Sequence, residues 1–192
     1  MKAIITDRRI VGSKVIKQIL TQAHKNYAQT YLSKHGTLPC IYYDKAWPSI
    51  CEVGEPLADG RIQWQAQPFT QADNLHALAD ALECRFPEQL SVFYSQFYAG
   101  NIVAQFEGHE VELLQPWNSD DYNRLQQNIT GHVLMKRKLK QADTVFIGLT
   151  EQEDLLITVK LNSGEVCLEY VGKEPHYVLA SSIEELLEGL SY

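Results

Sequence analysis

The sequence predicts a single α+β domain in which a mostly antiparallel sheet of about six strands is flanked by helices. Three observations predict it. Apolar residues recur at three- and four-residue intervals in some stretches, alternate with polar ones in others, and the alternating stretches are joined by short links. A chain of 192 residues that is 45% apolar is long enough to bury ~70% of its unfolded surface in one core, with no need of a disulfide or metal.

Residues 13–35 carry Ile16, Ile19, Leu20, Ala23, Tyr27 and Tyr31 at helical spacing, with Ser13 as N-cap and Gly36 as the stop. Residues 38–60 contain Pro39, Pro48, Pro56, Gly54 and Gly60, which predicts a long ordered loop or a broken strand. Residues 61–67 then read as a strand, and Leu75, Leu78 and Leu82 predict a helix over 71–83. Pro87 opens a second short helix through Phe97. Residues 101–106 and 110–115 form a hairpin around Glu107, Gly108 and His109, a three-residue link that leaves the register open.

Asn118 and Ser119 precede a helix to about Lys140 whose apolar stripe is Tyr122, Leu125, Ile129 and Leu139. Asp120 and Asp121 fall in its first turn and Lys136, Arg137, Lys138 and Lys140 in its last, each favourable to the helix dipole. The remainder is a meander over 144–149, 155–161, 165–170 and 177–179. A terminal helix follows from Ser182, with a capping box to Glu185 and Ile183, Leu186, Leu187 and Leu190 as its buried side.

Cys40, Cys51, Cys84 and Cys167 form no CxxC pair and have no histidine at zinc-site spacing, so reduced thiols are expected, with no metal and no cofactor. Arg8 and Arg9 run into a lysine-punctuated stretch rather than an apolar one, which does not suit a cleavable signal. No run approaches the ~20 apolar residues of a membrane span, and a cytoplasmic chain with only peripheral membrane association is expected.

Charge is unevenly placed. Residues 1–34 hold seven Lys or Arg against Asp7 alone, whereas residues 35–192 hold ten against twenty-three Asp or Glu. An acidic body repels phosphate backbones and anionic lipid, so nucleic-acid binding and direct lipid insertion are not expected and a basic partner is. Excess carboxylate also keeps a chain soluble, and charge alone does not choose between the two. No phosphate loop, nucleophile elbow or zinc-protease motif is present, so no catalytic residue is assigned. His132 lies eleven and twelve residues from Asp121 and Asp120, ~16–18 Å along one helix, too far for an acid/base pair.

Residues 113–132 read LLQPWNSDDYNRLQQNITGH. Leu113, Leu114, Gln115, Trp117, Asp120, Asp121, Arg124, Gln126, Asn128, Gly131 and His132 closely resemble the pattern of the SecY-interacting Syd family. Supporting matches are WQAQPF at 64–69, FYSQFYAG and AQF within 93–106, TxFI at 144–147 and SGEVCxE at 163–169. The resemblance spans residue 15 to the C-terminus and implies a fold similar to the SUKH superfamily. It further implies a non-enzymatic protein at the cytoplasmic side of the inner membrane, with a soluble pool; a monomer is expected. Such a protein binds the basic cytoplasmic loops of SecY, surplus or uncomplexed, or restrains the translocase. Residues 1–14 have no counterpart and read either as a basic extension or as a start placed too far upstream, with 15–192 as the Syd-like domain. A second implication of the fold likeness is an immunity protein that neutralises a basic toxin.

Alternation places Glu110 and Glu112 on one strand face, and Glu165 and Glu169 on one face of another. These four, with Asp120, Asp121 and Trp117, are the candidate partner-binding residues. A plain solvated face for Glu110 and Glu112, and a core position for Trp117, are the alternatives.

Overall fold

The computed structural model describes residues 8–71 and 75–192, with the side chains of the first helix described from Lys14 onward. Helix α1 (Arg8–His35) buries Ile16, Leu20, Ala23 and His24, an i, i+4, i+7, i+8 line. Its backbone is helical from Arg8, so Ser13 lies inside the helix and is not the N-cap expected of it. No proline interrupts residues 8–13, and Gly12 weakens the turn there by only ~1 kcal/mol. Gly36 does end the helix, its N–H donating to the Leu32 carbonyl at 2.8 Å. Residues 1–7 of the expected extension, and residues 72–74 of the helix expected over 71–83, lie outside the described residues.

The Pro/Gly-rich segment folds as a broken strand. Strands β1 (Cys40–Tyr42), β2 (Glu52–Val53) and β3 (Arg61–Trp64) make a small antiparallel sheet in the order β1-β3-β2. The strand expected over 61–67 divides, because Gln65 N–H turns to the Cys51 carbonyl and β4 (Gln67–Pro68) pairs with β5 (Phe97–Tyr98) instead. Between them lie α2 (His76–Ala81) and α3 (Glu88–Ser95), the latter capped by Pro87 and ending before Phe97 enters β5.

The main sheet has seven strands where about six were expected: β6 (Ile102–Phe106), β7 (His109–Leu113), β8 (Thr144–Thr150), β9 (Leu155–Lys160), β10 (Val166–Tyr170), β11 (Tyr177–Ala180) and β12 (Leu190–Ser191). Their order is β11-β10-β9-β8-β7-β6-β12, with every neighbouring pair antiparallel. Strand β12 takes Leu190 out of the terminal helix to which helical spacing assigned it. Two residues are too few to show an alternation.

Helix α4 (Ser119–Lys138) packs on β8, while α1, α3 and α5 (Ile183–Glu188) pack on one another. Val111, Leu113, Val145, Ile147, Ile157, Val159 and Val166 are buried in one core with Leu20 of α1, Phe93 of α3 and Leu186 of α5. Asn118 caps α4 by accepting the Asp121 N–H at 2.8 Å, and Ser182 caps α5 by accepting the Glu185 N–H at 3.1 Å. The return bond of the expected capping box is displaced by one residue: Glu185 accepts from Ser181 N at 2.6 Å, not from Ser182. All four cysteines are free thiols. Among the described residues no helix is long and apolar enough to cross a membrane.

The β6–β7 link is two residues, not three, since Phe106 pairs with His109. Glu107 and Gly108 have φ of 51° and 84°, the double-positive backbone of a type I′ turn. Glycine accepts that conformation freely, whereas an exposed glutamate is held there against its preference. Glu107→Asn is expected to raise stability by ~0.5–1 kcal/mol, read as a higher urea midpoint at unchanged slope.

Candidate functional site

Residues 114–117 leave the main sheet and turn into α4, and this corner is fastened to the β1–β2 loop. Trp117 Nε1 donates to the Trp47 carbonyl at 3.1 Å, Ser49 Oγ donates to the Trp117 carbonyl at 2.5 Å, and Asn118 Nδ2 donates to the Pro48 carbonyl at 2.9 Å. Trp117 itself is buried, and its ring serves as the pin.

Between the small sheet, the start of α4 and the face of β6 and β7 lies an open groove of about 600 Å³. Asp44, Glu52, Glu112 and Asp121 line it, and Arg124 is the one Lys or Arg among its described lining residues. Its apolar walls are aromatic: Trp47, Trp64 and Trp117, with Tyr42 82% exposed on the rim. Trp64 reaches the wall because Gly100 opposite has no side chain; a Cβ there would lie 2.5 Å from the indole. An adjoining depression of about 300 Å³ is lined by Glu110, Gln105, Lys34 and His35, and Tyr27 and Val103 line both. The register Val103↔Glu112 and Gln105↔Glu110 sets these four side chains on one sheet face, which floors the two hollows. Tyr27 stands where they meet, and burial pushes its phenol up to about 12.

Each groove carboxylate is held by a neutral donor or by Arg124. Asn101 Nδ2 donates to Glu112 at 2.7 Å, Ala46 N–H to Asp44 at 2.8 Å, Ser49 N–H to Glu52 at 3.0 Å and Trp117 N–H to Asp121 Oδ2 at 2.9 Å. Their orientation is therefore set, and among the described residues only Asp121 has an ion-pair partner, Arg124. Fixed charges in a concave, partly apolar wall focus the local potential.

The candidate residues read from sequence part company here. Glu112, Asp121 and Trp117 come together in the groove, and Glu110 lies in the adjoining depression. Asp120 is exposed in the first turn of α4 but lines neither hollow. Glu165 lies at the start of β10, three strands away from β7, and pairs with Lys160 at 3.1 Å. The hydrogen bonds from Lys160 and Ser163 hold its carboxyl below the usual range. Sequence reasoning gave no role to Asp44, Glu52, Trp47 or Tyr42, all from the broken-strand segment.

Glu169 requires correction: it is 0% exposed and does not belong to any partner-facing surface. Helix α4 covers its strand face. Lys136 Nζ, also 0% exposed, pairs with Glu169 Oε1 at 3.0 Å, and the Thr144 and Thr158 hydroxyls donate to Oε2 at 2.9 and 3.3 Å. The Thr144 proton being so used, His132 Nε2–H donates to Thr144 Oγ1 at 2.8 Å. Burial shifts the His132 imidazole toward its neutral form against the pull of Glu169. Lys136 is therefore a core residue and not a helix-dipole cation, and Arg137 pairs with Asp143 at 2.6 Å.

Beneath the groove, His24 Nε2–H donates to Gln115 Oε1 at 3.3 Å, and burial lowers its pKa to about 4. The unfolded value is 6.5, so between pH 6.5 and 4 the unfolded chain takes a proton that the folded chain refuses. Stability is lost as pH falls through that window. The expected loss from this group between pH 7 and 5 is about 2 kcal/mol, and urea titrations of His24→Gln at the two pH values should show a correspondingly smaller drop. Among the described residues no group of three His, Cys, Asp or Glu is placed to hold a metal ion.

The Syd protein (SUKH-2) family model matches residues 17–191. The chain is 56% identical over 171 residues to Protein Syd of Pseudoalteromonas translucida strain TAC 125, covering 89% of this chain and 96% of that one. It is 36% identical over 189 residues to Protein Syd of Colwellia psychrerythraea strain 34H, covering 94% of each. To Protein Syd of Erwinia tasmaniensis it is 38% identical over 173 residues, 90% of this chain and 92% of that one. With the matched region running from α1 through the groove to β12, the chain belongs to the Syd family.

Proposed function

We propose that this protein is a non-catalytic binding protein that docks on basic cytoplasmic loops of SecY, and thereby resides peripherally at the inner face of the cell membrane. The observation that carries the reading is the groove, where four carboxylates face one arginine on an aromatic wall. Inner-membrane loops on the cytoplasmic side are rich in Lys and Arg, so the charges are complementary. Exposed Tyr42 adds an aromatic anchor of the kind that dominates interface energies.

Titration of detergent-solubilised SecY against the labelled protein tests this. Affinity is expected to fall steeply from low to physiological salt, as the Debye length shortens to ~8 Å. Salt-insensitive binding, or capture of a soluble basic protein in place of SecY, would overturn the reading.

A further inference from the structure

We infer that Trp47 and Asp121 form a seat for one arginine side chain of the incoming segment, and that Arg124 occupies this seat as an internal stand-in until the segment arrives. The inference rests on the groove reading above and adds to it a residue-level preference and a displaceable occupant.

The geometry is that of a guanidinium site already filled. Arg124 Cζ lies 4.5 Å from the Trp47 ring centroid, and Arg124 Nη2 donates to Asp121 Oδ1 at 2.8 Å. A planar guanidinium can lie against an indole and hydrogen-bond in its own plane at the same time; an ammonium cannot do both equally well. The seat therefore favours arginine over lysine.

Both walls have supports besides Arg124. The Trp47 backbone is held by Trp117 Nε1 on its carbonyl, the adjacent Pro48 and Ser49 are tied to Asn118 and Trp117, and the half-buried indole packs against the core. Asp121 is oriented by Trp117 N–H on Oδ2, which leaves Oδ1 for a cation. The seat is thus preorganised when its occupant leaves.

Its occupant is weakly held. The Arg124 side chain is 63% exposed, and its ion pair is a surface i, i+3 contact. Pairs of this kind contribute little once side-chain ordering is counted, and an exposed cation–π contact adds little more. An incoming arginine makes the same two contacts and makes them under the cover of its own segment, where water screens them less. Exchange also frees Arg124, the one Lys or Arg among the described lining residues, to swing outward, which leaves all four carboxylates to the partner.

Two labelled peptides of equal charge test the seat, KGKGRGKGK and KGKGKGKGK, titrated by fluorescence anisotropy at low salt. In the wild-type protein the two are expected to bind within about twofold of each other. Arg124→Gln is expected to bind the arginine peptide roughly three- to tenfold more tightly and to prefer it over the lysine peptide. Lys45→Gln removes a positive charge from the β1–β2 loop without touching the seat, and its gain should be smaller and equal for both peptides. The arginine-specific gain should vanish when Arg124→Gln is combined with Trp47→Ala. It should also vanish with Asp121→Asn, whose amide oxygen still accepts from Trp117 N–H.

A gain in Arg124→Gln that is equal for the two peptides, or a loss of binding, overturns the seat. If the wild type binds SecY but Arg124→Gln shows no arginine preference, only the seat fails. If the wild type binds neither SecY nor the peptides, the docking function fails with it.

Discussion

Lys136→Met is expected to destabilise the protein by ~3–5 kcal/mol, because it leaves the Glu169 carboxylate buried beside two threonine hydroxyls and a His132 ring that burial holds toward its neutral form. For a chain of this length that corresponds to a fall in Tm of roughly 6–20 °C. The pair's own net contribution is a separate quantity. Two charges withdrawn from water gain little over well-packed neutral groups, so the loss reports an abandoned charge and not the strength of the attraction. The double variant Lys136→Met with Glu169→Gln should therefore recover at least half of the loss. Glutamine still offers an oxygen to Thr144 and Thr158 and carries no charge to compensate. Chemical denaturation of the two singles and the double measures this as a cycle. A single-variant loss below about 1 kcal/mol would mean that water, or a proton taken up by His132 or Glu169, relieves the abandoned charge.

In the proposed docking on SecY, Glu112→Lys is expected to weaken binding ten- to a hundredfold at low salt, about 1.4–2.8 kcal/mol. Glu112 is half-buried on the groove floor, where a charge is screened less than at a rim, and reversal replaces attraction with repulsion. Glu112→Gln keeps the acceptor for Asn101 Nδ2 and should lose less, which separates charge from local structure. Glu165→Lys is the contrasting substitution: Glu165 lines neither hollow and already faces Lys160, so a change within twofold is expected. Equal effects of Glu112→Lys and Glu165→Lys would indicate attraction by overall charge and not by the groove.

Periodicity made most of the scaffold legible. The helical line in α1, the capped start of α4 and the hairpin of β6 and β7 all follow from local pattern, as does the pairing of short-linked strands. Alternation fixed which side of β10 Glu169 points to; it is silent on which helix covers that face. A signal for the cover was present, since Tyr122, Ile129 and Lys136 recur at seven-residue intervals and Lys136 continues the buried stripe. A lysine at such a position belongs to the core, and a core lysine needs a carboxylate. The groove was legible only in part. Glu112, Asp121 and Trp117 belong to regular elements, whereas Asp44, Trp47 and Glu52 reach it through a segment without periodicity. Their place is set by hydrogen bonds to Trp117 and Asn118, some 70 residues onward.

That same fastening sets a time at which the protein first becomes competent during its synthesis. The β1–β2 loop leaves the ribosome well before its anchors, since Ser49 and Trp117 are 68 positions apart. At ~5–20 residues per second the nascent loop waits roughly 3–14 s for them. Until then the walls of the groove are unfixed, and Trp47 and Tyr42 are apolar surface without a frame. Closure of the main sheet waits longer, because β12, which pairs with β6, lies well beyond Trp117 in the chain. A chain that has not yet reached β12 lacks the strand that pairs with β6, and the proposed docking is expected only once that strand is in place.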